Sequence, residues 1–154
     1  WYEISNWARP GSESRHNLGY WRNVDWAGIG PGAHSHYADS ASRGLRAWDI
    51  AHPRLWGERI GAGQVPWAGS ESITPAETLE ETIMLGLRLH EGLDLTSLRT
   101  SPEVGRQTES LDAGIAELEH EGLVERRGPR LVPTLRGRLL NDTVIERMFD
   151  CCGL

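Results

Sequence analysis

Residues 111–134 read LDAGIAELEHEGLVERRGPRLVPT, and the period of the pattern changes inside this stretch. Leu111, Ile115 and Leu118 recur on one face of a helix, and Gly122 supplies its stop. Leu123–Arg126 and Arg130–Thr134 then read as two short strands about the turn Arg127-Gly128-Pro129. Beyond them Thr134–Arg138 leads into a last helix, with Val144, Ile145, Met148 and Phe149 as its apolar positions. A helix that feeds a hairpin and then another helix places the chain in the α+β class.

Working toward the N-terminus, Thr74-Pro75-Ala76-Glu77 is a capping box with Pro at the first helical position. Glu77, Glu80 and Glu81 sit where the positive end of the helix dipole favours anions. Leu79, Ile83 and Leu87 share a face that Met84 and Leu85 widen, and the helix is predicted to stop before Gly92. Ser101-Pro102-Glu103 offers a further helix start, which Gly105 opposes. The order helix, helix, hairpin, helix is winged-helix-like, which is a shape and not a function. Trp67–Ser72, WAGSES, is small and polar and reads as the linker before this half.

Residues 1–66 have another texture, with six of the seven tryptophans, much Gly and Pro, and little helical periodicity. Trp1–Ser5 alternates like a strand end, and Pro10–Ser14 reads as a loop. Trp26–Ile29 reads as a second strand, and Asp49–Ile60 as a helix interrupted near Pro53. So few strands cannot bury both faces of a sheet. With Trp1 in place of an initiator Met, this predicts a piece of a longer protein.

The chain has 154 residues, 38% hydrophobic and 25% charged, a globular composition with room for one domain or a small domain and part of another. It has no apolar run of the ~20 residues a membrane helix needs, and no signal peptide opens it. All 16 basic residues are Arg, a compositional habit that removes lysine chemistry (Schiff bases, lysine bases, phosphate-clamping lysines) from the candidates. Residues 74–154 hold 15 acidic and nine basic residues and so carry the whole net charge of −6.

That charge argues against nucleic acid as a partner. In winged-helix DNA binders the helix before the hairpin enters the major groove. Here the corresponding stretch offers Asp112, Glu117, Glu119 and Glu121 to the phosphates. Arg126, Arg127, Arg130, Arg136 and Arg138 leave a weak basic patch around the hairpin. The two cysteines, Cys151 and Cys152, are adjacent, which suits a reducing cytoplasm and gives neither a disulfide framework nor a metal-ligand spacing. They read as part of a frayed tail.

Two motifs could carry chemistry. Gly28 to His36, GIGPGAHSH, can bring backbone N–H groups up to carboxylate or phosphate oxygens. Its spacing is not G-x-G-x-x-G, and a tight turn after a strand is the simpler reading. His34 and His36 would share a face of a strand, but no third ligand stands at a telling spacing for zinc. His16 precedes Asn17, with Tyr20 and Trp21 four and five residues on. An imidazole beside large rings suits an axial ligand to heme iron, but on these residues alone a loop histidine near core aromatics is the favoured reading.

Taken together, Tyr2-Glu3-Ile4-Ser5-Asn6, Ser14 to Trp21 (SRHNLGYW) and Gly28 to Ser35 (GIGPGAHS) resemble the HemW group of radical-SAM proteins. Glu77 to Thr82, Gly86 to Leu89 and Glu121 to Val124 are similar to that group's C-terminal domain. The motifs occur in the family's order over nearly the whole chain. The resemblance implies a protein that binds heme and transfers it to apoprotein acceptors. The alternatives are an oxygen-independent coproporphyrinogen III oxidase and, outside the family, a winged-helix nucleic-acid module.

It further implies that residues 1–66 are the C-terminal end of a radical-SAM (β/α) barrel with the segment after it. Residues 67–154 then form a HemN-type, winged-helix-like domain. His16, Asn17, Tyr20 and Trp21 match the heme-associated H-N-x-x-Y-W motif, with His16 as candidate iron ligand. Gly28, Ile29, Gly30 and Ala33 match the loop at the barrel end where the family holds S-adenosylmethionine. The family's C-x-x-x-C-x-x-C, which binds its 4Fe–4S cluster, does not occur in these residues, and Cys151 with Cys152 cannot replace it. No radical chemistry is therefore expected of this chain alone.

Overall fold

Ser14 opens the first element of the computed structural model, which describes residues 1–38, 44–105 and 107–154. Its hydroxyl accepts the Asn17 N–H at 3.2 Å and caps α1, Arg15–Trp21. β1 (His34–Ala38), β2 (Gly44–Asp49), α2 (Pro53–Gly61) and β3 (Trp67–Ile73) follow, and then α3 (Pro75–Gly86). After them come β4 (Leu93–Asp94), α4 (Leu95–Thr100), α5 (Thr108–His120), β5 (Val124–Arg127), β6 (Arg130–Pro133), α6 (Leu135–Leu139) and α7 (Asn141–Cys152). Two compact units result, Trp1–Asn23 with Leu79–Leu154, and Val24–Thr78.

In the first unit, β5 and β6 pair as the predicted hairpin, and β4 adds to β6 through Leu93 opposite Leu131, giving the order β4-β6-β5. The apolar faces read from the sequence meet in one core. Ile83, Leu87, Leu111, Ile115, Leu118, Leu131 and Met148 have essentially no exposed surface there. Each such side chain contributes about 1.5–3 kcal/mol of transfer free energy. Gly122 and Gly128, both with positive φ, turn the chain at the end of α5 and at the hairpin tip.

The second unit is an antiparallel meander in the order β1-β2-β3. Trp48 of β2 stands opposite Gly69 of β3, and its ring occupies the place where a Cβ on Gly69 would lie. Asp49 accepts the indole N–H of Trp56 at 2.9 Å, which ties α2 to the end of β2. The capping box forms as predicted, with Thr74 N–H on the Glu77 carboxylate at 2.7 Å and Glu77 N–H on the Thr74 hydroxyl at 3.3 Å.

Several sequence readings are corrected. WAGSES is strand β3 and not a linker; it lies at a sheet edge, where polar and small residues are tolerated, so it lacks apolar alternation. Pro53 starts α2 instead of interrupting a helix, and Asp49 ends a strand. Trp1–Ser5 and Trp26–Ile29 make only isolated bridges, Glu3 to Asn6 and Leu89, and Trp26 to His36. Ser101–Glu103 follows a helix instead of starting one, because Asp94 caps α4 through the Thr96 N–H at 2.9 Å. The last helix divides at Leu140 into α6 and α7. The tail is not frayed either. Cys152 is 1% exposed within the core, where it packs as a small apolar side chain, and burial pushes its thiol up to about 11.

Gly137 sits in α6 so close to the hairpin root that a Cβ there would lie 1.8 Å from the Leu123 carbonyl oxygen. Gly57 of α2 has nothing within 4 Å of the same position. Alanine normally stabilises a helix by about 0.5–1 kcal/mol over glycine. Gly57→Ala is expected to do so, whereas Gly137→Ala is expected to cost about 1–3 kcal/mol because backbone must move. Urea denaturation of both variants checks this, and a neutral or stabilising Gly137→Ala would refute the contact.

Candidate functional site

α1 is two turns long and carries the whole H-N-x-x-Y-W sequence. Positions four apart share a helix face, so His16 meets Tyr20 and Asn17 falls in line with Trp21. The His16 and Tyr20 rings pack edge to face with centroids 4.8 Å apart, and both are exposed. His16 therefore lies on a helix, not in a loop among core aromatics. Its imidazole nitrogens have no hydrogen-bond partner among the described residues.

The other face holds the helix to the unit. Asn17 donates to the Tyr2 hydroxyl at 3.1 Å, and the Arg88 guanidinium lies 4.4 Å above the Trp21 ring. Arg22 forms a two-pronged pair with Glu91, both N···O distances 2.9 Å, and Asn23 donates to Glu81 at 3.2 Å. The hydrogen bond to Glu91 raises the Arg22 pKa, and the same bond lowers that of Glu91. Tyr2, Arg88, Glu91 and Glu81 were not singled out as site residues from sequence. Tyr2, Glu81 and Arg88 carried a signal as members of the matching segments, but no periodicity ties them to α1.

Trp21 also borders two clefts. One, of about 420 Å³, runs from Arg22 and Asn23 past Leu85 and Leu89 to Asp94 and Arg130. The other, of about 270 Å³, is lined by Met84, Arg88, Asp142, Ile145 and Glu146. The Trp21 indole nitrogen is buried and has no hydrogen-bond partner among the described residues, an arrangement that costs free energy wherever it persists.

In the other unit, Gly28 to Ala33 form a turn locked from within. The Gly28 N–H donates to the Ser35 hydroxyl at 3.0 Å, Ala33 N–H to the Gly30 carbonyl at 3.0 Å, and Gly32 N–H to the Ile50 carbonyl at 3.1 Å. Gly28 admits no side chain, since a Cβ would lie 2.0 Å from the His34 oxygen; Gly30 and Gly32 take positive φ. Ile29, 88% exposed, caps the turn. The N–H groups of Ile29 and Gly30 make no hydrogen bond among the described residues, unlike those of Gly28 and Ala33.

His34 and His36 both lie on β1, but His34 is exposed while His36 is buried and stacks on Trp26. No group of three or more His, Cys, Asp or Glu among the described residues could hold a metal ion. The arginines around the hairpin are engaged: Arg126 with Glu119, Arg127 with Glu125, Arg130 with Asp94, and Arg136 with the Glu121 carbonyl. Arg138 stacks on Trp1 at 4.1 Å. No helix among the described residues is long and apolar enough to cross a membrane.

Burial, and then Arg46, hold the His36 pKa below its ordinary value, with Asp25 in partial opposition. The unfolded chain thus binds a proton here before the folded one does. His36 contributes its full stability above about pH 6.5 and loses it as pH falls below that value. The melting temperature is expected to drop more between pH 7.5 and 5.5 in the parent than in His36→Gln; equal drops would refute the assignment.

Residues 73–140 match the family model for the HemN C-terminal domain. The chain is 39% identical to the heme chaperone HemW of Mycobacterium tuberculosis over 97% of its own length and 35% of that protein. It is 31% identical to the Bacillus subtilis heme chaperone HemW, over 93% of the chain and 36% of the relative. It is also 31% identical to the mitochondrial radical S-adenosyl methionine domain-containing protein 1 of Danio rerio, over 96% and 34%. It thus spans about a third of the length of these relatives. The fold is similar to coproporphyrinogen III oxidase (HemN) from Escherichia coli, a radical-SAM enzyme, with a TM-score of 0.58, 18% identity, and coverage of 98% of this chain and 37% of that one.

Proposed function

We propose, for a chain that belongs to the HemW-type family as its C-terminal portion, that α1 presents a heme-binding face and that the parent protein hands heme to apoprotein acceptors. The observation that carries this reading is the exposed His16–Tyr20 pair. An imidazole with both nitrogens unengaged by described residues fits an axial ligand, and the adjoining ring offers apolar surface to a macrocycle. Heme held there would supply an iron that the His16 imidazole could ligate. Asn17 keeps the helix on Tyr2, and Trp21 adds aromatic surface on the neighbouring face. A cytoplasmic setting is part of the proposal.

For S-adenosylmethionine, Gly28, Ile29, Gly30 and Ala33 would act as one turn. Ile29 and Gly30 offer their N–H groups, while Gly28 and Ala33 keep the turn in shape. The 4Fe–4S cluster finds no ligand set in this chain, since its two cysteines are adjacent and one lies in the core. No radical step is assigned to it. In this proposal residues 1–66 are the barrel end with the segment after it, and 67–154 the HemN-type domain. The compact units cross this division, because Trp1–Asn23 packs with Leu79–Leu154.

Hemin titrated into the chain is expected to give a Soret band. His16→Ala is expected to shift that band and to weaken binding about tenfold or more. Unchanged binding and an unchanged spectrum in His16→Ala would remove His16 as the ligand.

A further inference from the structure

We infer that Arg88 is a positioning residue for the heme face: it holds the Trp21 ring in place through a stacked guanidinium that is itself anchored on the buried carboxylate of Glu3. The inference rests on the heme reading for its consequence, but its geometry stands without it.

α1 has no fully buried residue and only seven positions, and helices so short do not hold themselves in water. Its placement therefore comes from the contacts of its side chains. Those made by Arg22 and Asn23 lie beyond its last residue, and Asn17 fixes one point near its start. Trp21 ends the helix, and Arg88 Cζ lies over its ring, 4.4 Å from the centroid.

Arg88 is fixed in turn. Its Nη2 reaches Glu3 Oε2 at 3.4 Å and the Ser5 hydroxyl at 3.2 Å. Glu3 is fully buried and also accepts the Ser5 N–H at 3.0 Å and the Asn6 side-chain amide. The backbone repeats the link, since Ile4 N–H donates to the Arg88 carbonyl at 3.0 Å and His90 N–H to the Tyr2 carbonyl at 3.0 Å. The guanidinium is thus held through Nη2 by a buried carboxylate and a hydroxyl, with its carbon over the indole.

Trp21, together with Leu85, lines both the cleft of about 420 Å³ and that of about 270 Å³, so a tilt of its ring alters both. A guanidinium can pair through one nitrogen while its plane rests on the ring, whereas an ammonium is a single point charge. Lysine retains the charge but has no flat face. A purely structural ion pair with Glu3 would accept lysine; a residue that sets the Trp21 ring would not.

The test uses the full chain labelled with 5-fluorotryptophan, with the Trp21 resonance assigned by its loss in Trp21→Phe, and hemin titration followed by the Soret band. In Arg88→Lys the Trp21 fluorine resonance is expected to move, with hemin binding weakened about two- to fivefold. Glu3→Gln, which removes the charge that anchors Arg88, is expected to move the same resonance and covers the case in which Arg88→Lys does not fold. An unmoved Trp21 resonance in a folded Arg88→Lys or Glu3→Gln protein would overturn the inference. So would a moved resonance with hemin affinity unchanged. If the unsubstituted chain gives no Soret band, the heme reading fails, and the fluorine shifts still decide whether Arg88 sets Trp21.

Discussion

A carboxylate with no solvent contact, Glu3, ties together segments more than eighty residues apart in sequence. Burying an anion costs several kcal/mol unless donors surround it. Here the Ser5 N–H, the Asn6 amide and the Arg88 guanidinium do so. The donors come from both sides of the Trp1–Asn6 and Arg88–His90 pairing, so losing the Arg88 side leaves the Glu3 charge with its local donors alone. The unit formed by Trp1–Asn23 and Leu79–Leu154 depends on that closure. Without it the short α1 has few supports, and its His16–Tyr20 face has no fixed place.

The parts legible in the sequence are those whose cause is local. The capping box at Thr74, the 3.6-residue rows of α3 and α5, and the Gly128 hairpin each arise from neighbours a few residues apart. The parts that were not legible are set by distant partners. β3 has no apolar alternation because it is a polar edge strand, and it is a strand only because β2 pairs with it. α4 is six residues long, too short for periodicity to declare it, and its start is fixed by the Asp94 cap. Cys152 reads from sequence as part of a frayed tail, because nothing local shows that α7 carries it into the core.

The candidate site divides along the same line. The pairing of His16 with Tyr20 follows from four-residue spacing as soon as α1 is a helix. The clamp on its other face could not be read, because Tyr2, Arg88 and Glu91 reach α1 only through the tertiary fold. The glycine turn shows a similar mixture. Its tightness is local, whereas the choice of which N–H groups are consumed depends on Ser35 and Ile50.

The absence of lysine then takes on structural weight whatever its origin in composition. At three places the planarity of arginine does what an ammonium could not. Arg22 meets both oxygens of Glu91, Arg88 covers Trp21, and Arg138 covers Trp1. These guanidiniums hold aromatic rings and carboxylates in fixed orientations within the unit. Around the hairpin, Arg126, Arg127 and Arg130 are paired with carboxylates, and Arg136 with a backbone carbonyl. A phosphate backbone docking there would have to compete with those partners on a half of the chain that is already net acidic. Among the described residues, these arginines therefore serve to hold the chain's own fold.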